Sequence, residues 1–186
     1  MGAEEIRAVL VAYKTVMDAS WPKMHPHMAE RARGWAGETE ENLKAQLEHY
    51  VRDSAAHPES QIRIFWKLGD KFQFAGCNAL FARDAGVQSA DDLIGIDDFN
   101  EKLPWVRMAP KYRADDEEVY RSGQAKLDIV ERQGQAEGIH WIRVGKAPIR
   151  IGDKVIGILG MYEMLSNEAG RKLYAERMQN PSPPAP

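Results

Sequence analysis

Ile62-Arg-Ile-Phe-Trp-Lys-Leu68, a turn at Gly69-Asp70, and Lys71-Phe-Gln-Phe-Ala-Gly76 on the way back decide how this chain folds. β-Branched and aromatic residues on either side of a Gly-Asp turn predict two antiparallel strands. Cys77-Asn-Ala-Leu-Phe-Ala-Arg-Asp-Ala-Gly86 follows at once, a short helix closed by glycine. Further on, Trp141-Ile-Arg-Val-Gly-Lys-Ala-Pro-Ile149 and Val155-Ile-Gly-Ile-Leu-Gly-Met-Tyr-Glu163 predict two long strands joined at Gly152-Asp153. Between these blocks, Ser89 to Gly95 has the cap and stop of a one-turn helix. Asp97-Asp-Phe99 and Leu103-Pro-Trp105 are irregular, and Tyr112 to Ser122 is the longest helix, stopped by Gly123. Lys126 to Gln133 is a third strand, with Gly134 to Gly138 as the hairpin loop into the fourth. Two strands, short helices and three strands make an α+β domain over residues 59–165.

On the N-terminal side, residues 3 to 19 carry Ile6, Val9, Leu10, Tyr13, Val16 and Met17 at helical spacing, and Trp21-Pro22 ends that helix. Lys23-Met-His-Pro-His-Met28 reads as a linker, followed by a short helix near Glu30 to Trp35. After Gly37, Thr39 to Ser54 places Leu43, Leu47, Tyr50 and Val51 on one helical face, before a break at His57-Pro58. Residues 1–58 are thus a helical extension whose apolar face must pack on the sheet or on a second copy of the chain. Residues 166–186 comprise a charged helix, Ser166 to Gln179, and a proline-rich tail.

Bulk properties narrow the function. A net charge of -3 over 186 residues gives no electrostatic reason to expect nucleic acid, and no stretch is apolar enough to span a membrane. The N-terminus lacks a signal-peptide pattern, and Ile6 stands where a myristoylation motif wants Ser or Thr. One cysteine, Cys77, excludes an internal disulfide or an all-cysteine metal site. A cytoplasmic location is expected.

The ordered pieces resemble the PAS sensory family. Gly76-Cys-Asn78 with Phe81 and Gly86 is similar to the family's Asn-x-x-Phe helix. Leu93-Ile-Gly95, Leu103-Pro-Trp105, Tyr112-Arg-Ala-Asp-Asp-Glu-Glu-Val119 and Ser122-Gly123 resemble a bacterial signalling subgroup, and Trp141, Lys146, Pro148 and Gly157-Ile-Leu-Gly160 complete it. One departure is visible: two extra residues between Phe99 and Leu103. The resemblance implies a five-stranded antiparallel sheet with short helices over one face and a ligand cavity between. It places Phe74, Trp105, Tyr112, Ile142, Val144, Lys146, Ile158 and Tyr162 as candidate ligand contacts, with Gly160 also inward.

Which occupant fits can be asked of the residues. In the light-sensing branch a reactive cysteine follows an Asn-like position in Gly-x-Asn-Cys; here the stretch is Gly95-Ile-Asp-Asp98, which disfavours photoactive flavin. Cys77 reads as a small, partly buried apolar residue. Oxygen-sensing haem relatives carry an axial histidine on the long helix, and Tyr112 to Ser122 has none, which disfavours haem. His25, His27 and His140 match no metal spacing and read as solvated or locally hydrogen-bonded. Asp115-Asp-Glu-Glu118 reads as a solvated face near a helix start, and the glycines of Gly157-x-x-Gly160 precede no helix and form no phosphate loop.

There remains a small organic ligand, with its identity open. Lys146 facing a partly apolar cavity needs a counter-charge. A ligand carboxylate would supply it, as would an internal acid such as Glu131 or Asp98. Tyr162 could orient a ligand through its hydroxyl or simply pack in the sheet. No Ser/His/Asp or Cys/His set suggests catalysis. The expectation is a sensor with no output domain of its own, binding a small molecule and acting through a homodimer formed by the first and third helices or through a separate effector protein. The alternative is an interaction scaffold whose cavity is filled by its own side chains, such as Phe74, Phe81, Trp105 and Tyr162.

Overall fold

The computed structural model describes residues 1–22, 32–52 and 61–180. The expectations for the 23–28 linker with His25 and His27, the break at His57-Pro58, the boundary at 58/59 and the tail from residue 181 lie outside the described residues. In chain order the elements are α1 (Ala3–Ser20), α2 (Glu40–Leu47, continued by a π-turn Glu48–Arg52), β1 (Arg63–Leu68), β2 (Gln73–Cys77) and α3 (Ala79–Ala85). They continue as α4 (Ala109–Ser122), β3 (Lys126–Gln135), β4 (Gly138–Ile151), β5 (Lys154–Leu165) and α5 (Asn167–Gln179). Single 3-10 turns at Trp35–Gly37, Ala90–Leu93 and Val106–Met108 fill the connections.

The five strands form one antiparallel sheet in the order β2-β1-β5-β4-β3. Alternation along each strand divides its side chains between two apolar layers. On one face Ile64, Trp66, Ile149, Leu159 and Met161 meet Ile6, Leu10, Tyr13 and Met17 of α1 and Leu43 and Leu47 of α2. On the other, Phe65, Phe74, Ile142, Val144, Ile158 and Tyr162 meet Phe81, Leu93, Trp105, Tyr112 and Val119 from the helical side. A bulge between Trp66 and Lys67 brings Phe74 beside Lys67 on the second face while Gly76 stays opposite Trp66.

The N-terminal extension therefore packs on the sheet of its own chain. Ile6, Val9, Leu10 and Val16 are all fully buried there. Of the two destinations expected for these apolar faces, the sheet of the same chain receives those of α1 and α2. Polar contacts fasten the end of α1, where Trp21 Nε1 donates to Glu163 Oε2 at 3.0 Å and the Arg143 guanidinium donates to Ser20 O at 3.2 Å.

Two boundaries move for evident reasons. Helix α4 begins three residues before Tyr112 because Pro110 falls in its first turn, where no amide is needed. The β3–β4 hairpin closes with only Ala136-Glu137 between paired Gln135 and Gly138. The two extra residues before Leu103 are taken up by polar turns, with Asp97 Oδ1 accepting from Phe99 N at 3.0 Å and Asn100 Oδ1 from Lys102 N at 3.1 Å. Helix α5 is capped by Ser166 Oγ, and Gly170 lets it lie on the Trp141 ring, which a Cβ there would meet at 2.3 Å.

Candidate ligand cavity

The cavity lies between sheet and helices. Its floor is Phe65 and Lys67 of β1, Glu131 and Gln133 of β3, Ile142, Val144 and Lys146 of β4, and Tyr162 of β5. Phe81 of α3, Asp98 and Trp105 of the irregular segment, and Tyr112 of α4 form its roof. Gly160 makes the floor possible, since a Cβ there would stand 2.2 Å from the Phe65 ring that lies across it. Aromatic rings pack around the space: Phe81 to Trp105 at 5.3 Å, to Phe65 at 4.8 Å and to Tyr162 at 6.1 Å. The free volume is about 20 Å³, room for roughly one water-sized centre.

Local sequence fixes the roof. Asn78 caps α3, its Oδ1 accepting from Phe81 N at 3.1 Å, and the same side chain accepts from Ile64 N of β1 (3.2 Å) and donates to Ile62 O just before that strand (2.9 Å). That is the physical content of the Asn-x-x-Phe pattern: one amide both starts the helix and sets Phe81 over the sheet. In α4, Tyr112, Asp116 and Val119 follow i, i+4, i+7 spacing and are all buried toward the sheet.

Two buried charged clusters flank Phe65. At one side Asp116, fully buried, accepts from Lys67 Nζ at 2.6 Å and from Lys146 Nζ at 2.5 Å. Lys67 also pairs with Asp98, whose other oxygen accepts from Trp105 Nε1 at 3.0 Å. At the other side, Asp84 accepts from Arg63 Nε at 2.8 Å and from the Tyr162 hydroxyl at 2.7 Å. Burial by itself would raise the Asp116 carboxyl, but Lys146 and Lys67 outweigh it and hold it below the usual carboxylate range. Burial by itself would likewise lower the Lys67 ammonium; Asp116 and Asp98 reverse this and hold it above its ordinary value. Burial pushes the Glu131 carboxyl up even though it pairs with Lys111.

The structure brings six of the eight expected contacts to the cavity: Trp105, Tyr112, Ile142, Val144, Lys146 and Tyr162. Phe74 and Ile158 stand in the same apolar layer without lining the space. Lys146 has an internal partner, and it is Asp116, in place of the Glu131 or Asp98 expected. This overturns the solvated reading of Asp115-Asp-Glu-Glu118, in which both aspartates are buried. The Tyr162 hydroxyl is taken by Asp84, so it does not reach toward a ligand. The Tyr112 hydroxyl, by contrast, is buried with no hydrogen-bond partner among the described residues. Phe65, Lys67, Phe81 and Gln133 line the space without having been among the expected contacts, and Asp116, which holds the two lysines from outside the lining, was not singled out either.

At the position of the light-sensing cysteine, Asp98 turns inward to Lys67 and Trp105. His140 shares a strand face with Ile142 by alternation, while Trp141 lies on the opposite face against Tyr174 at 5.5 Å. Cys77 is buried, and no group of His, Cys, Asp and Glu among the described residues is arranged for a metal.

No protein-family model and no curated protein matches the chain. Solved structures do. A phage VqmA in complex with DPO is 18% identical over 75% of this chain and 61% of that one, with a TM-score of 0.56. A light-oxygen-voltage domain studied with a flavin analogue is 15% identical over 69% of this chain and 94% of that one, with a TM-score of 0.53. The VqmA dimer of Vibrio cholerae, described in the absence of its target DNA, is 23% identical over 56% of this chain and 47% of that one, with a TM-score of 0.50. The chain thus spans about half to three fifths of the VqmA chains it matches. At these identities the likeness shows the fold alone: the chain has a PAS-type fold, α+β with a five-stranded antiparallel sheet. No helix among the described residues is long and apolar enough to cross a membrane.

Proposed function

We propose that the protein is a cytoplasmic sensor that takes a small, uncoloured organic molecule into the cavity between sheet and helices and passes the event to a second copy or to a separate effector protein. The observation that carries this reading is the lining itself. Residues from α3, α4, the Asp97–Met108 segment and four strands converge on one space with aromatic walls and a few fixed polar groups, the usual make-up of a small-molecule site. The fold offers precedent in VqmA, solved as a complex with DPO.

A ligand larger than one water must open the cavity, and the Asp98–Trp105 segment of the roof is tied to the floor through Asp98, which pairs with Lys67 and accepts from Trp105 Nε1. Val144 and Tyr162 pair across β4 and β5, and the next pair is Arg143 and Glu163, which hold the end of α1. Displacing the floor would thereby be felt at α1. A ligand acts this way only by binding one arrangement better than the other.

The second reading, a scaffold with a side-chain-filled cavity, is favoured by the small free volume of about 20 Å³. Thermal unfolding across a metabolite panel separates the two. A ligand at a hundred times its Kd adds about 2.7 kcal/mol, which raises Tm by several degrees in a chain of this size. The sensor reading expects such a rise for one chemical class, lost when Val144→Trp fills the cavity. No rise for any compound would support the scaffold.

A further inference from the structure

We infer that the ligand of this cavity is an uncharged molecule carrying a hydrogen-bond acceptor, received by the Tyr112 hydroxyl. The inference rests on the sensor reading above and narrows it to a chemical class. Its basis is the state of each polar group in the lining. Lys67 and Lys146 are charge-saturated by Asp98 and Asp116, all four side chains being buried. An anionic ligand would have to displace one of those carboxylates and leave it uncompensated in the interior, which is strongly unfavourable. A cation would have to take Glu131 from Lys111 with Lys146 close by.

The Tyr162 hydroxyl is spent on Asp84. Tyr112 differs from all of these. It is only 6% exposed, it lines the cavity, and its hydroxyl finds no partner among the described residues. A buried hydroxyl left unpaired costs free energy that an incoming acceptor recovers. Burial, then Glu131, Asp98 and Asp115, raise its pKa, so it is held protonated, as a donor.

Three ring compounds of similar size test this by NMR titration of the full chain: benzamide, neutral with an acceptor; benzoate, anionic; and toluene, with no acceptor. The Trp105 indole N–H, fixed to Asp98, reports on the cavity. Benzamide is expected to bind more tightly than toluene, by about fivefold to tenfold, with benzoate the weakest. Tyr112→Phe should erase the benzamide advantage and leave toluene unchanged. Because the substitution removes an unpaired buried group, the free variant should unfold at a Tm no lower than the parent chain.

Unchanged benzamide affinity in Tyr112→Phe, tighter binding of benzoate than of benzamide, or a lowered Tm in the free variant would each overturn the inference while leaving a cavity ligand standing. If none of the three compounds moves the Trp105 resonance, the inference is overturned, while the metabolite panel above decides the sensor reading separately.

Discussion

Asp116 is the residue on which most of the cavity's electrostatics turn, since its two oxygens receive lysines from β1 and β4 and tie α4 across the middle of the sheet. Removing one partner of a buried ion pair costs more than the pair contributes, because the charge left behind is uncompensated. Asp116→Ala leaves Lys146 without its ion partner and is expected to lower stability by about 3–5 kcal/mol, measured by urea unfolding. The pH dependence has a definite sign. A carboxyl whose folded pKa is depressed contributes stability that is complete above the ordinary carboxylate range and is lost as pH falls toward the folded value. Asp115 is held low as well: burial alone would raise it, but Lys126, Lys146 and Lys111 prevail. The parent chain should therefore lose stability as pH drops below the usual carboxylate range, and Asp116→Asn should flatten that loss. A variant with the parent's slope would remove Asp116 from this role.

Elements inherit their positions from a few side chains of this kind, and Asn78 is the plainest case. It satisfies one backbone amide of β1, one of α3 and the carbonyl of Ile62 just before β1. Asn78→Ala is expected to cost about 2–4 kcal/mol and to loosen Phe81, seen as faster hydrogen exchange at the start of α3. Much of this element structure was legible in the sequence, as at the turn at Gly69-Asp70 and the glycine after α3, while the PAS resemblance supplied which face of the strand after Trp141 turns Ile142, Val144 and Lys146 inward. Lys67 was harder to place, because a lysine near the end of a strand reads as solvated, although Phe65 and Lys67 share a face by alternation. Asp116 was masked by its acidic neighbours, which resemble a solvated helix start. Its spacing from Tyr112 and Val119 is the signal that marks it as inward. Which acid meets which lysine depends on how α4 crosses the sheet, and local patterns do not encode that.

For the whole molecule the main consequence is that both faces of the sheet are covered within one chain, by α1 and α2 on one side and the cavity helices on the other. The apolar stripe of α1 was visible in the sequence; its destination was not, since such a stripe fits a second copy as well as its own sheet. Leu10→Asp distinguishes the two. Placing a charge at this fully buried position should destabilise the fold by more than about 3 kcal/mol, whatever the protein concentration. If the substitution instead only changed the oligomer seen by light scattering and left unfolding intact, α1 would be an intermolecular element.

The central claim, a small molecule held between sheet and helices, is tested most directly by native mass spectrometry of the full chain after a single rapid purification step. The sensor account expects the parent chain to carry an added mass that denaturation releases as a small colourless compound, and expects Val144→Trp to carry none. A parent chain and variant that both show only the mass of the bare polypeptide, or a released flavin or haem, would contradict it.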